Sequence, residues 1–512
     1  MLGWLVVLIL GVCAWVGYSA SPLAALLRCV FRTVLMRGRR RRGALSGIAF
    51  PVSVAQLLDG APGARDLTVM LRHSGALADG VVVASVRDVN VAIRDGVKGD
   101  KVIVELSYAR EPAGPGRAGP EESTPPPRLF VKFGVPSCSA MRLLCDASEV
   151  GRCEAEFYSR VAPLGLVAAP RCFFADYAAA TGDSIVVTEV VPFGVAPVRP
   201  LRHRVRDAPL LEEQRLFAVA GATLHAALWR GSDALAALEA RGGPLPRFEA
   251  THRPLWLMAQ LTARLGLRHT ADNTLGGRAV NPAWLGSWAA PEGVRGREGE
   301  LIRDMPRIMA SLCAGARGAA LGAYGHNDWT SDNAWLVGGG GGRAAEPARL
   351  GGAFDWQQAC VNNVAQEWAW NWHWLPPAFL DAHERELIDI VLATYAARGR
   401  AVDRERFVES YALGCAQMYV WSGGGLQLLL KALHAKGLFE AMQPGDCDPA
   451  STASRGGASL DEATREKLVG AEMTRRTFTN CCNIMRRHGF VDKWARWRDE
   501  EREAAKLKPK AA

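Results

Sequence analysis

The stretch "YGHNDWTSDNAWL", residues Tyr324–Leu336, crowds one histidine, two aspartates and two asparagines between aromatic and apolar neighbours. Burying such groups costs free energy unless each finds a partner. Trp329, Trp335 and Leu336 therefore mark these side chains as held in place rather than solvated. His326, Asp328 and Asn333 fit the pattern H-x-D-x-x-x-x-N, and 22 residues past Asn333 the run "AFDWQQA" sets Asp355 behind two apolar positions. Between them "NAWLV", five glycines (Gly338–Gly342) and "RLGGAFDW" read as two short strands around a turn. Such a hairpin brings Asn333 and Asp355 toward one cation. Amide and carboxylate oxygens are hard ligands that suit Mg²⁺, an ion that usually also binds substrate phosphates. Asp328, on the loop before the hairpin, is placed to orient a hydroxyl and accept its proton.

Phosphoryl transfer also requires a cation on the leaving phosphates. Lys132 supplies one from "FVKF", where apolar neighbours bury its stem and aim its ammonium. Glu154 lies on "ASEVGRCEAEFYSRVAPLG" (Ala147–Gly165), whose charged and apolar residues alternate at helical spacing, and is its ion-pair partner. Lys132 and Glu154 thus fall in the first part of the chain, and Asp328, Asn333 and Asp355 in the second, with ATP expected between.

The wider pattern agrees with that division. "GVVVASVRDVNVAI" (Gly80–Ile93), "KVIVELSYA" (Lys101–Ala109), "LFVKFGV" (Leu129–Val135), "RCFFADY" and "DSIVVTEVV" have the β-branched and aromatic content of strands. From about Ala208 the periodicity turns helical, over Leu210–Trp229, Pro254–Leu267, Leu301–Ala314 and most of Pro377–Met442. A β-rich half followed by an α-rich half is an α+β arrangement. The domain reading is a hydrophobic helix at 1–27, a basic linker at 28–58 and a β-rich lobe at 59–192 with a flexible Pro/Gly insertion at 110–128. A helical lobe at 193–487 follows, holding the loop 324–336 and the metal motif 353–358, and a charged tail closes the chain at 488–512.

This order of residues resembles the protein-kinase-like fold, two-lobed with ATP between the lobes. Within it, the order resembles the small-molecule kinases: aminoglycoside phosphotransferases, choline kinases and most closely the ecdysteroid-kinase-like (CHK-kinase-like) family. The resemblance spans about Ser74 to Trp374. "HNDWTSDN" is similar to that family's H-[GN]-D-x-W-x-x-N loop with Trp329 one place early, and "FDWQ" to its I-D-[FW]-Q metal motif. "CEAEFYSRVAP" resembles its R-E-x-x-F-Y-x-x-x-A-P helix, which selects Glu154 over Glu156. "PRCFFADYAAATGDSIVVTEVV" resembles its stretch ahead of the hinge, which implies that Glu189 and Val191 lie against the adenine. The chain departs from the family in having no G-x-G-x-x-G and in carrying Glu367 where an Asp is expected. The resemblance implies an ATP- and Mg²⁺-dependent kinase whose small-molecule acceptor is a sterol-like alcohol, an amino-alcohol or a similar hydroxylated metabolite. The alternative is a membrane-tethered pseudokinase that binds nucleotide or lipid without turnover. A protein kinase is disfavoured, since H-R-D, D-F-G and A-P-E are missing.

Composition sets further bounds. The formal charge of +9 suggests nucleic acid, but Arg28, Arg32, Arg37 and Arg39 to Arg42 all precede the first acid, Asp59, and the remainder carries only +2. The basicity belongs to the N-terminus, and no nucleic-acid partner is expected. Twelve cysteines without zinc or disulfide spacing read as reduced structural thiols. Met1–Leu27 is uncharged and long enough for a membrane helix, and "RGRRRR" behind it predicts an anchored chain facing the cytoplasm. A cleaved plastid or secretory leader is the alternative. His326 reads as structural support for the loop, bonded to backbone near Asp355. Trp356, Trp368 and Trp372 read either as an acceptor pocket or as core. The five-glycine run lacks the following Lys of a phosphate loop and reads as a turn.

Overall fold

The computed structural model describes residues 39–507 apart from 90–98, 111–124, 136–139, 194, 199–209, 272–273, 276–277, 280–290, 339–347 and 435–461. The chain divides into two units. Unit 1 comprises Met1–Val198, Gly242–Pro246 and Gly351–Ala359, and unit 2 comprises Arg199–Arg241, Arg247–Leu350 and Cys360–Ala512. The expected N-terminal membrane helix and most of the Pro/Gly insertion lie outside the described residues. Among the described residues, no helix is long and apolar enough to cross a membrane.

Unit 1 is built on a five-stranded antiparallel sheet of order β3-β4-β5-β7-β6. Its strands are β3 (Val81–Asp88), β4 (Lys101–Arg110), β5 (Arg128–Phe133), β6 (Cys172–Tyr177) and β7 (Ser184–Thr188). Alternation along β5 sends Leu129, Val131 and Phe133 into a core with Leu67, Met70 and Leu71 of helix α2 (Gly60–His73). A register shift interrupts β3 between Val83 and Ser85. The Val83 N–H donates to Thr68 Oγ1 of α2 at 2.9 Å, so the bulge leaves no orphaned donor there.

The described part of the segment expected as a basic linker, from residue 39 on, is part of this fold. Strands β1 (Arg41–Arg42) and β2 (Ala49–Phe50) pair, and Phe50 and Leu57, the latter on the short helix α1 (Val54–Leu57), are fully buried. Arg41 is itself only 4% exposed. Its Nε meets Asp183 at 2.7 Å, and Asp183 also holds Arg142 of helix α3 (Ala140–Ala147) at 3.1 Å. Burying a guanidinium is tolerable only with such partners.

Unit 2 is helical, with α5 (Leu211–Ala227), α6 (Asp233–Gly242), α7 (Phe248–Ala271), α8 (Glu298–Cys313) and α9 (Gly315–Leu321) before the loop. The helix expected from Pro254 starts six residues earlier, and the one expected over Pro377–Met442 is two, α11 (Pro377–Ala397) and α12 (Arg404–His434), parted around Gly399. Gly399 has φ +75°, a conformation that ends a helix. The two strands expected around the glycine run are present as β9 (Ala334–Val337) and β10 (Arg349–Ala353). Strand β8 (Gly322–Gly325) pairs antiparallel with β11 (Cys360–Asn363), which sets Gly325 opposite Cys360. Asn363 then caps α10 (Val364–Trp372), its side chain accepting from Ala365 and Gln366.

The described part of the segment expected as a charged tail is a docked helix. After α13 (Glu462–Arg487), α14 (Phe490–Leu507) buries Trp494 and Trp497. Their indoles donate to Asp304 at 3.0 Å and Ser311 at 2.9 Å of α8.

Candidate active site

Three of the expected residues meet on one ammonium in unit 1. Lys132 stands mid-sheet on β5, opposite the core face, with Lys101 and Val186 as its strand neighbours. Its Nζ donates to Glu154 Oε1 at 2.9 Å and to Asp355 Oδ1 at 2.6 Å. Glu154 comes from helix α4 (Val150–Glu156), and both it and Lys132 are buried, whereas the Asp355 side chain is 33% exposed. Burial alone would lower the Lys132 pKa, but Asp355 and Glu154 outweigh it and the net direction is up. For Glu154 burial is the largest influence and the net direction is also up, Lys132 opposing it and Asp355 adding repulsion. Of the two carboxylates only Asp355 has a part-exposed side chain, and a carboxylate oxygen there is the donor type that fits a divalent cation with oxygen ligands. Asp355 adopts φ 62° and ψ 50°, a left-handed conformation that Asp tolerates better than most side chains.

Other expected residues of unit 1 have different surroundings. The Trp356 ring is fully buried, stacks on Phe157 at 3.6 Å between centroids and donates to the Ala353 carbonyl at 3.1 Å. It is core, not the wall of an acceptor pocket. Glu189 pairs with Arg171 twice, its N–H donating to the Arg171 carbonyl and its carboxylate accepting the Arg171 N–H at 2.8 Å. The Val191 carbonyl accepts Phe193 N–H at 2.9 Å.

In unit 2 the quoted loop follows β8. Asp328 is partly exposed, and its Oδ1 accepts the Trp370 indole N–H at 3.1 Å. Its main-chain carbonyl accepts from Asn333 Nδ2 at 2.8 Å and from Thr330 N–H at 2.7 Å. Asn333 thus commits its amide nitrogen, the group a cation cannot use, and its oxygen is the ligand type Mg²⁺ takes. His326 is fully buried, edge-on to Trp329 at 5.5 Å. The Trp329 N–H donates to Asn371 Oδ1 at 2.9 Å and its indole to the Phe217 carbonyl at 3.0 Å.

Asn327, just before Asp328, has φ +58°. Its N–H donates to Glu367 Oε1 at 2.9 Å, and its side chain bonds the Cys360 carbonyl at 3.1 Å and Asn362 at 2.7 Å. The family departure at Glu367 is thus a buried anchor of the loop. Burial would raise its pKa, yet His225, the Asn327 N–H and His326 together bring it below the usual value.

Trp368 and Trp372 are buried and stacked on each other at 5.0 Å, so they also belong to the core and not to a pocket. Trp370, one of the four alternating tryptophans that could line a pocket or pack the core, is the member of the run that touches Asp328. His225, Tyr395 and Asn362 were missed altogether. Only "TLHAALW" in α5, a histidine in an apolar helical run, could have flagged one of them.

No protein-family model matches the chain, and no curated protein matches it. Among solved structures the chain is similar to small-molecule kinases and phosphotransferases. One is the Plasmodium vivax ethanolamine kinase, at TM-score 0.36 and 14% identity over 84% of this chain and 98% of that one. The choline kinase of Cryptosporidium parvum is similar at TM-score 0.36 and 10% identity, over 85% and 96% of the two chains. An aminoglycoside-3′-phosphotransferase of type VIII is similar at TM-score 0.30 and 19% identity, over 68% and 98%.

Proposed function

We propose that the chain is an ATP- and Mg²⁺-dependent phosphotransferase acting on a hydroxyl of a small molecule, a sterol-like alcohol, an amino-alcohol or a similar metabolite. The observation that carries this reading is the Lys132–Glu154–Asp355 trio. Residues 22 and 223 positions apart in sequence meet on one buried ammonium. A merely structural lysine rarely gathers two carboxylates at the edge of solvent.

In this reading Lys132 binds the α- and β-phosphates, and Glu154 fixes its direction. Glu189 and Val191 follow the adenine edge. The motif pattern assigns Asn333 and Asp355 as Mg²⁺ ligands, and the ion would supply positive charge to the phosphates. Asp328 orients the acceptor hydroxyl and takes its proton as the acceptor oxygen bonds to the γ-phosphorus and the bond to the departing ADP breaks. Trp370 holds Oδ1 of Asp328, so the carboxylate meets the hydroxyl in a set direction. Through Met1–Leu27 the chain would be tethered to a membrane with these residues on the cytoplasmic side.

The test is transfer of label from γ-labelled ATP, with Mg²⁺, to a fractionated extract of hydroxylated metabolites, using the full chain in detergent beside Asp328→Asn. Label on a small molecule with the unsubstituted chain alone is the expected result. ATP binding without label in any fraction would replace this reading by the pseudokinase.

A further inference from the structure

We infer that His225 is a positioning residue for Asp328, acting through Glu367 on the Asn327 backbone; the catalytic part of this inference rests on the proposed phosphotransfer. The bonds run in one direction. Trp368 Nε1 can only donate, and it does so to the Tyr395 hydroxyl oxygen at 3.0 Å. Tyr395 is fully buried, so its own proton needs an acceptor, and His225 Nδ1 lies 2.8 Å away. A ring whose Nδ1 accepts carries its proton on Nε2. That nitrogen lies 3.1 Å from Glu367 Oε2. The other carboxylate oxygen, Oε1, accepts the Asn327 N–H at 2.9 Å.

Four elements are joined in this way: α10 through Trp368 and Glu367, α11 through Tyr395, α5 through His225, and the loop through Asn327. Every member is at least nine-tenths buried. The chain ends on a residue with φ +58°, a conformation that costs free energy in a non-glycine residue and holds only where its surroundings impose it. Asn327 is the residue on which Asp328 is mounted. Rotation of the Glu367 carboxylate would release the Asn327 N–H, and the His225 ring against Oε2 opposes that rotation.

The fold leaves room for this chain and little else. A Cβ on Gly325 would overlap Glu367 Oε2, and a Cβ on Gly221 of α5 would press on the Trp368 ring. The carboxylate therefore sits where a side chain would otherwise stand.

Two readouts test the inference. Nitrogen-15 NMR of histidine-labelled full chain is expected to show one ring with an Nε2–H tautomer that vanishes in His225→Gln. An Nδ1–H tautomer, or a ring that is charged throughout, overturns the chain of bonds whatever the activity. Tyr395→Phe removes only the hydroxyl and keeps the ring, so it guards against loss of folding in His225→Gln. With γ-labelled ATP, Mg²⁺ and the acceptor fraction, both variants are expected to lose about ten-fold in kcat, the scale of one buried hydrogen bond to a charged group, with the KM for ATP unchanged. Unchanged kcat in both overturns the positioning role. No transfer by the unsubstituted chain, with the Nε2–H tautomer present, would sink the phosphotransfer reading and the catalytic half of this inference while the bond chain stands.

Discussion

Trp368, Trp370, Trp372 and Trp374 stand at alternate positions, and the geometry of α10 divides the first three. A period of two keeps side chains on one face only in a strand; on a helix the neighbours are four apart. Trp368 and Trp372 accordingly stack in the interior, while Trp370 turns to Asp328. The alternative of core packing was open in the sequence, and the helical period decides it for two of the four. Gly325 makes a sharper case at the same scale. The Glu367 carboxylate occupies the place of its missing side chain, and Glu367 has no room to retreat without abandoning Asn327 or His225. Gly325→Ala is expected to cost about 2–4 kcal/mol, the range of an overpacked core site that also strands a buried charge. A urea titration reads it as a lower midpoint at unchanged slope. A midpoint equal to that of the unsubstituted chain would mean that the carboxylate moves aside freely.

Among the elements, the segment Arg39–Ser46 carries the largest difference between expectation and structure. Read locally it is a basic run, and its partners are invisible at that range. Arg40 meets Asp66 at 2.7 Å, Arg41 meets Asp183 at 2.7 Å, and the Leu45 and Ser46 N–H groups donate to Asp176 at 3.0 and 2.9 Å. Removing one partner of a buried ion pair costs about 3–5 kcal/mol, because the other charge stays behind. Arg142 still faces Asp183, so Arg41→Met is expected at the lower end, about 3 kcal/mol. Thermal melts of this variant, and of chains beginning at residues 39 and 45, test it. The Arg41→Met variant should melt below the full chain, and the chain from 45 below the chain from 39. An unshifted Arg41→Met melt would show that the pair is inert. The elements that were legible share a physical cause: β4 and β7 show β-branched runs, and α5 and α8 show a helical period, each written within one element. Lys132 was legible for the same reason, its apolar neighbours on the strand marking it, whereas the choice of Glu154 over Glu156 rested on the family resemblance. What was not legible depends on distant partners, as with His225, Tyr395 and the Arg41 network. The docked α14 was half legible, since Trp494 and Trp497 stand three apart on an otherwise charged helix.

At the scale of the whole molecule, the buried titrating groups of the two units are shifted in opposite directions, so acid should not undo the units together. In unit 2, His373 is pushed down to about 4, first by burial, which the Trp370 carbonyl and the charge of Asp328 only partly oppose. Unfolding returns it to the ordinary value of 6.5. Between these pH values the unfolded chain binds a proton that the folded one refuses, so stability falls as pH falls, by about 3 kcal/mol over the window. Glu367 and Glu384 follow at lower pH. Burial raises both, but His225 and the loop N–H for one, and His488 and Arg487 for the other, bring each below its usual value. Their contribution is full above the unfolded value of 4.5 and is lost as pH drops through their folded values. In unit 1 the buried or half-buried Asp66, Asp100 and Glu154 are raised, chiefly by burial, and so take up protons earlier folded than unfolded. Acid relieves those groups rather than straining them. Hydrogen exchange followed peptide by peptide at descending pH should therefore show α10, α11 and α13 opening before the β3–β7 sheet. His373→Gln should delay that opening toward lower pH. Simultaneous loss of protection in both units, or an unchanged order of opening in His373→Gln, would show that the buried imidazole does not govern the acid limb.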